Sequence, residues 1–210
     1  MEQVNYSKQA LTAQPTLCIS YVSCHDDMML TDRLKANKKL KAGELQRLSK
    51  LAQTAVLTSQ GMPFLWCGEE IARDKKGVHN SYCSPDDINA IDWSLKAENL
   101  DLFAYYQGLI AMRKAHPAFH MGDAELVRKN VHFLEAPEGV VAYQLNGEAV
   151  GDEWKTIIVI LNSQLSTINY QLPEGEYHVA VADGKCPAAA QGLLKGSAKV
   201  AAQSAMVLYL

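Results

Sequence analysis

Leu17-Cys-Ile-Ser-Tyr-Val22 is a β-rich apolar run that stops abruptly at Ser23-Cys24-His25-Asp26-Asp27. A strand covered on both faces reads in this continuous way, so residues 16–22 are predicted to form a first buried strand. Apolar strands ending in an imidazole and carboxylates are where α/β enzymes place chemistry, because the strand is rigid and its C-terminal end faces a shared cleft. Taken alone, a His-Asp pair after a strand is more often a hydrogen-bonded loop pair than a catalytic one. If the extended geometry continues, neighbouring side chains point to opposite faces. Asp26 and Asp27 then do not form a mutual acid/base pair: one faces the cleft, the other the wall or solvent. The same divergence argues against Cys24 and His25 as a thiol nucleophile and its base, and no third group to orient the imidazole is evident.

Upstream, residues 1–15 show no clear period and read as a lead-in ending at Pro15. Downstream, Lys35 to Gly43 is a charged connection, and its basic run Lys38-Lys39-Leu40-Lys41 reads as a solvated loop before a helix. From Glu44 onward, Leu45, Leu48, Leu51, Ala52, Ala55 and Val56 recur at three- and four-residue steps, the pattern of an amphipathic helix. Gly61 is the expected C-terminal cap, with Pro63 just behind it. Met62-Pro-Phe-Leu-Trp-Cys67 then reads as a second buried strand, ending at Gly68-Glu69-Glu70. Strand, helix, strand over residues 16–67 is a βαβ crossover, which makes the strands parallel. His25-Asp26 and Glu69-Glu70 are therefore expected on one face.

Residues 71–93 form a long connection rich in polar and turn residues, and loops of this length inside a compact domain are usually functional or disordered. Its aromatics, amides and carboxylates suit stacking on and hydrogen bonding to a sugar; capping turns made by Asp and Asn would use the same residues. Residues 99–115 are a second helix, with Leu102, Phe103, Tyr106, Leu109, Ile110 and Arg113 along one stripe. His116 and His120 have metal-like spacing, but Pro117 between them breaks the helical face, so no metal is expected there. After about residue 124 the pattern becomes period two, with strands at 131–135, 140–145, 156–161, 167–172, 177–182 and 205–210. Pro137-Glu-Gly139, Pro173-Glu-Gly175 and Asp183-Gly184 are the predicted turns. This is the pattern of an antiparallel β-sandwich of six to eight strands.

Composition narrows the function classes. The chain has 210 residues, 48% hydrophobic and 20% charged, with a formal net charge of −3. No basic stripe argues for nucleic acid, no apolar stretch reaches membrane-spanning length, and residues 1–5 lack the pattern of a secretion signal. The five cysteines are odd in number and show no Cys-x-x-Cys spacing, so neither a disulfide framework nor a zinc site is indicated. The compartment is left open.

These stretches together resemble a known family. Tyr21-Val-Ser-Cys-His-Asp-Asp27 looks like the strand-seven motif of the α-amylase superfamily, commonly Tyr-Val-x-x-His-Asp-Asn. Ser59-Gln-Gly-Met-Pro-Phe-Leu-Trp-Cys-Gly-Glu-Glu70 looks like strand eight. Asn80-Ser-Tyr82, Ser84-Pro-Asp86, Asn89-Ala-Ile-Asp-Trp93 and Arg113-Lys-Ala-His-Pro-Ala-Phe119 are similar to type I pullulanases, which hydrolyse α-1,6 branch points of pullulan, starch and glycogen. The resemblance covers nearly the whole chain. It implies an α/β plus all-β fold: the last two βα units of a (β/α)8 barrel in residues 1–122, and a C-terminal antiparallel β-sandwich in 123–210.

The resemblance also implies roles. His25 would hydrogen-bond the sugar in the subsite of the reacting ring. Asp26 would orient that sugar's hydroxyls and favour its distorted, oxocarbenium-like ring. Asn80, Tyr82, Asp86 and Asn89 would border the substrate subsites. Asp27 stands where Asn is usual, and Ala90 where many relatives carry a longer polar side chain. No cofactor is implied, and the partner would be an α-glucan. Retaining glycoside hydrolysis needs a nucleophilic carboxylate and a general acid roughly 5–5.5 Å apart. The family's Arg-x-Asp and Glu motifs for those roles are absent, and a full barrel takes about 250 residues. The chain therefore reads as the C-terminal part of such an enzyme, inactive alone, with Met1 an unlikely native start. It is also expected to self-associate through exposed barrel edges. The alternative is a non-catalytic glucan-binding or structural module.

Overall fold

The computed structural model describes residues 2–3, 7–10, 12–37, 39–41 and 43–210. Lys38 of the basic run and Met1, residues 4–6, 11 and 42 lie outside them. In chain order the elements are β1 (Glu2–Gln3) and β2 (Ser7–Ala10), β3 (Ile19–Ser20), α1 (Leu30–Asn37), α2 (Glu44–Thr58), β4 (Met62–Pro63), α3 (Asp86–Asn89), α4 (Ser94–Glu98), α5 (Leu100–Ala115) and α6 (Ala124–Asn130). Then come β5 (Val131–Leu134), β6 (Val140–Asn146), β7 (Thr156–Asn162), β8 (Ile168–Val181), β9 (Leu193–Val200) and β10 (Ser204–Tyr209).

The lead-in is not structureless: β1 and β2 pair antiparallel. The crossover is present, with β3 and β4 parallel in the register Ile19↔Met62 and Ser20↔Pro63. The strands are much shorter than the apolar runs predicted, and a 3-10 turn, Pro15–Leu17, takes up the start of the first. They are also exposed rather than buried. Leu17, Ile19, Tyr21, Met62 and Phe64 are each at least 40% accessible. Among the described residues, this sheet has only two strands, so nothing covers its outer edges.

Gly61 does not cap α2 through a left-handed residue; Ser59 ends that helix in extended geometry. Gly61 is required by proximity instead, since a Cβ there would lie 2.6 Å from the Cys18 carbonyl oxygen. The α2 carbonyls are capped from outside. Arg113 of α5 donates from Nη1 to the carbonyls of Leu57 (2.9 Å) and Ser59 (2.7 Å), and from Nη2 to Gly61 (2.8 Å). A cation at a helix C-terminus satisfies orphan carbonyls and complements the dipole.

The buried face of α2 is not the leucine stripe. Leu45, Leu48, Leu51, Ala52 and Ala55 are only half-buried, whereas Val56 of the predicted stripe is buried together with Ser49, Lys50, Gln53, Thr54, Leu57 and Thr58. Burial of the Thr54, Thr58 and Lys50 polar groups is tolerated because they are hydrogen-bonded. Thr54 Oγ1 meets Tyr105 Oη at 2.7 Å, Tyr143 Oη donates to Thr58 Oγ1 at 2.6 Å, and Lys50 Nζ donates to the Gly184 carbonyl at 2.9 Å.

The C-terminal strands form one antiparallel sheet in the order β5-β6-β7-β10-β8-β9. Its central strand β7 is buried on both sides, and Ile157, Ile158, Val159 and Ile160 are fully inaccessible. The two-residue alternation of strands divides these side chains. Ile157 and Val159 join Tyr143, Leu145, Val181 and Val207 in a core shared with Leu57, Tyr105, Leu109, Met112 and Phe119 of the helical part. Ile158 and Ile160 join Tyr170, Tyr177, Ala198, Met206 and Leu208 in a second core on the opposite face. The first of these cores joins the helical part to the sheet.

Two details differ from expectation. The runs 167–172 and 177–182 are one continuous strand, β8, and Pro173-Glu-Gly175 is an irregularity rather than a turn. The pairing with β9 passes from Gln171↔Ser197 directly to Glu176↔Lys195. A bulge tolerates a proline that a regular central strand would not. β9 itself, Leu-Leu-Lys-Gly-Ser-Ala-Lys-Val, has no strong apolar alternation, and only Ala198 and Val200 of it are buried.

Candidate functional site at the β3 and β4 ends

Past β3 the backbone bends through residues 25–27, so the extended geometry does not continue. Side chains expected to diverge are gathered instead. His25 Nε2 lies 3.4 Å from Asp26 Oδ2, and both side chains are about three-quarters exposed. The Cys24 Sγ joins them: the thiol sulfur, a ring nitrogen and a carboxylate oxygen all lie within 4.8 Å of one another.

Asp27 points elsewhere, as expected of one of the two acids. Its φ is +68°, a left-handed conformation that Asn and Asp adopt most readily among residues with a side chain. Its backbone N–H donates to Asn80 Oδ1 (2.9 Å). Its carboxylate pairs with Arg33 Nη2 at 3.1 Å and with the His79 imidazole. Asp27 thus ties the bend at the end of β3 to the 75–93 loop.

That loop is held from within. Asp32 of α1, itself buried, accepts the backbone N–H groups of Lys75 (2.7 Å) and Gly77 (2.8 Å). Lys75 lies over the Trp66 ring and donates to Ser81 Oγ (2.6 Å) and Asn89 Oδ1 (3.0 Å). Burial holds its ammonium below the usual lysine range, helped by the nearby Arg73 charge and opposed by Asp32. The Asn89 amide donates to the carbonyls of Ser81 (2.7 Å) and Ser84 (2.8 Å). Both ends of the Asn89 side chain are therefore engaged inside the loop. Tyr82, by contrast, is 86% accessible, and Asp86 is exposed at the start of α3.

The acids after β4 lie at the same end of the parallel pair as His25 and Asp26, as expected, but their side chains do not join the exposed pair. Glu70 accepts the N–H of Gly68 (3.0 Å). Glu69 is buried, accepting the Ser23 hydroxyl on one oxygen and Gln53 Nε2 (2.8 Å) on the other. Burial raises its carboxyl to about 7, against the lowering effect of those two bonds. The roles of Ser23, Gln53, Asp32, Lys75 and His79 arise from contacts distant along the chain, and no local pattern singles these side chains out.

The His116–His120 pair does not act as a unit. His116 is buried, with Nδ1 2.7 Å from Asp152 Oδ1, and is stacked at 3.6 Å on Trp154, which stacks at 3.9 Å on Tyr209. His120 is exposed. Chemically, the bend past β3 presents an imidazole, a carboxylate and a thiol close together.

Comparison with known proteins gives a consistent result. A family model described as "Pullulanase, all-beta domain" matches residues 127–185. The chain is 34% identical to a pullulanase of Bacillus subtilis over 164 residues, covering 78% of this chain and 23% of that protein. It superimposes on the pullulanase of Bacillus acidopullulyticus with a TM-score of 0.91 and 36% identity, over 94% of this chain and 25% of the other. The B. subtilis type I pullulanase solved with maltose gives 0.89 and 31%, over 94% and 28%. The chain thus spans about a quarter of the length of these relatives. On sequence and backbone together, it belongs to the pullulanase family and corresponds to the C-terminal portion of its type I members.

Proposed function

We propose that this chain contributes the last two βα units and the C-terminal β domain of a debranching glycoside hydrolase acting on α-1,6 linkages of α-glucans. In this reading residues 1–122 complete a (β/α)8 barrel, and 123–210 form the terminal sandwich packed against it. The observation that supports it most is the parallel β3–β4 pair with His25 and Asp26 held open beyond its C-terminal end. His25 and Asp26 bind the sugar at the reacting ring, and Tyr82 and Asp86 border neighbouring subsites. Asn80 and Asn89 act one step back, by holding Asp27 and the loop.

The retaining mechanism needs a second and third carboxylate in close apposition to the sugar. Glu69 is clasped by Ser23 and Gln53 and is not available to play either part. The chain alone is therefore inactive. Release of reducing ends from pullulan by the purified chain, unaffected by Asp26→Asn, would point to a contaminant; release abolished by Asp26→Asn would overturn the inactivity. Calorimetry with a branched maltooligosaccharide tests the binding role: His25→Ala and Tyr82→Ala are expected to weaken binding, and unchanged binding in both would sink it.

The apolar side chains Leu17, Ile19, Tyr21, Met62 and Phe64 on a two-stranded sheet favour self-association. Ile19→Lys with Phe64→Ser is expected to shift the chain towards monomer in sedimentation; a wild-type monomer at high concentration would exclude it.

A further inference from the structure

A cleft of about 310 Å³ opens between α2, the start of α5 and the turns that follow β8 and precede β10, and no residue of the β3 or β4 ends lines it. Three of its side chains, those of Arg47, Asp183 and Gln203, have no ion-pair or hydrogen-bond partner among the described residues. Gln203 is only 4% accessible, so an almost wholly buried amide is left open to the cleft. Buried polar groups are as a rule satisfied, and one that the fold leaves unmet points to something that meets it. We propose that this cleft binds a neutral polyhydroxylated ligand, a single hexose unit, at a site separate from the one past β3. This goes beyond the reading of His25 and Asp26 and stands without it.

The walls of the cleft are fixed. Buried Lys50 donates from Nζ to the Asp101 carboxylate and to the Gly184 carbonyl (2.9 Å), which ties α2 to α5 and to the turn after β8. Ser204 Oγ donates to the Ala201 carbonyl (2.8 Å) and closes the turn that carries Gln203. Charge then selects the ligand. Lys50 and Asp101 offset each other, and Arg47 and Asp183 add one charge of each sign. An anion would meet Asp101 and Asp183, and a cation would meet Arg47 and Lys50, so neither is favoured. Sugar hydroxyls both donate and accept. They match a guanidinium that only donates, a carboxylate that only accepts and an amide that does both. Lys50 Nζ sits 5.3 Å from the centre of the Tyr105 ring, so that face is taken and hydrogen bonds, not stacking, hold the sugar. The volume lies at the small end of ligand pockets, which suits one sugar unit and not a long chain. Sequence patterning gives no hint of the site, because its groups come from α2, α5 and two distant turns.

The test uses the full chain carrying His25→Ala and Tyr82→Ala together, which removes the site past β3. Maltose is titrated in and followed by the NMR shifts of backbone amides. Saturable shifts at and around Asp183 and Gln203 are expected to persist in this background. Arg47→Met and Asp183→Asn, each added to it, are expected to weaken that binding about tenfold, the worth of one hydrogen bond to a charged group. Both side chains are exposed and have no partner among the described residues, so both variants are expected to fold, and circular dichroism checks this. Inorganic phosphate, the anionic control, is expected to cause no shifts there. Maltose shifts that appear in the wild type and vanish with His25→Ala and Tyr82→Ala would leave the site past β3 standing and overturn this one. Absence of shifts around Asp183 and Gln203, undiminished binding in folded Arg47→Met and Asp183→Asn, or phosphate bound in place of maltose would overturn it as well.

Discussion

The hydroxyl of Ser23, just past β3, donates a hydrogen bond to the buried carboxylate of Glu69, just past β4. One short side chain and one acid thereby join the two strand ends across the crossover. Gln53 of α2 holds the other carboxylate oxygen, so helix and both strand ends share one polar contact.

This contact carries a pH dependence. The Glu69 carboxyl is raised to about 7 in the fold, chiefly by burial, from an ordinary value of 4.5. A carboxyl raised by folding stabilises most fully below its unfolded value, and that stability is lost as pH rises through the folded one. Stability is therefore expected to fall by up to about 3 kcal/mol between pH 5 and pH 8. Glu69→Gln should flatten that slope. Urea unfolding across this range checks it, and an equal slope in wild type and variant would refute the assignment.

Asp27 and Asn80 should respond differently to substitution. Asp27→Asn keeps the left-handed backbone and the N–H donated to Asn80, losing only half-exposed ion pairs worth about 0–1 kcal/mol. Asn80→Ala removes the acceptor and places alanine at φ +55°, for a cost of about 1–3 kcal/mol. Chemical denaturation distinguishes them, and the larger loss in Asp27→Asn would contradict the geometry.

Arg113→Met should be among the more damaging single changes. It leaves the carbonyls of Leu57, Ser59 and Gly61 without their guanidinium at the end of α2. A loss of about 3 kcal/mol or more is expected, because buried acceptors are left unpaired. Arg113→Lys should recover only part of it, since one ammonium does not reproduce the planar fork.

Gly108 sets how closely α5 approaches the chain after β8. A Cβ there would lie 2.0 Å from the Cys186 carbonyl oxygen. Burial pushes the Cys186 thiol up to about 12, so it should react slowly with disulfide reagents at pH 8. Gly108→Ala is expected to force the contact open and speed that reaction at least several-fold. An unchanged modification rate in a folded variant would show that the contact yields elsewhere.

Much of the architecture was legible without coordinates. The apolar run before His25 and the three- and four-residue steps after Glu44 marked a parallel crossover. Period-two patterning after residue 124 marked the antiparallel sheet. Where reading failed, a local signal was outweighed by a distant one. The leucines of α2 suggested the buried face, but Thr54 and Thr58, bonded to Tyr105 and Tyr143, and Gln53, whose amide donates to Glu69, share it with Val56 and Leu57. Pro173 and Gly175 suggested a turn, but β9 pairs on both sides of them and carries the strand through.

Periodicity, composition and the His-Asp strand ending were determined by the order of residues alone, because backbone geometry repeats at fixed steps and apolar side chains must find cover. Which donors converge was decided only in three dimensions. A left-handed residue at position 27, held by partners from α1 and the 75–93 loop, closes the bend at which Cys24, His25 and Asp26 lie together, while Ser23 and Gln53 hold Glu69 in the interior. Contacts between segments far apart in the chain set that bend, and no pattern of neighbours along the chain encodes them.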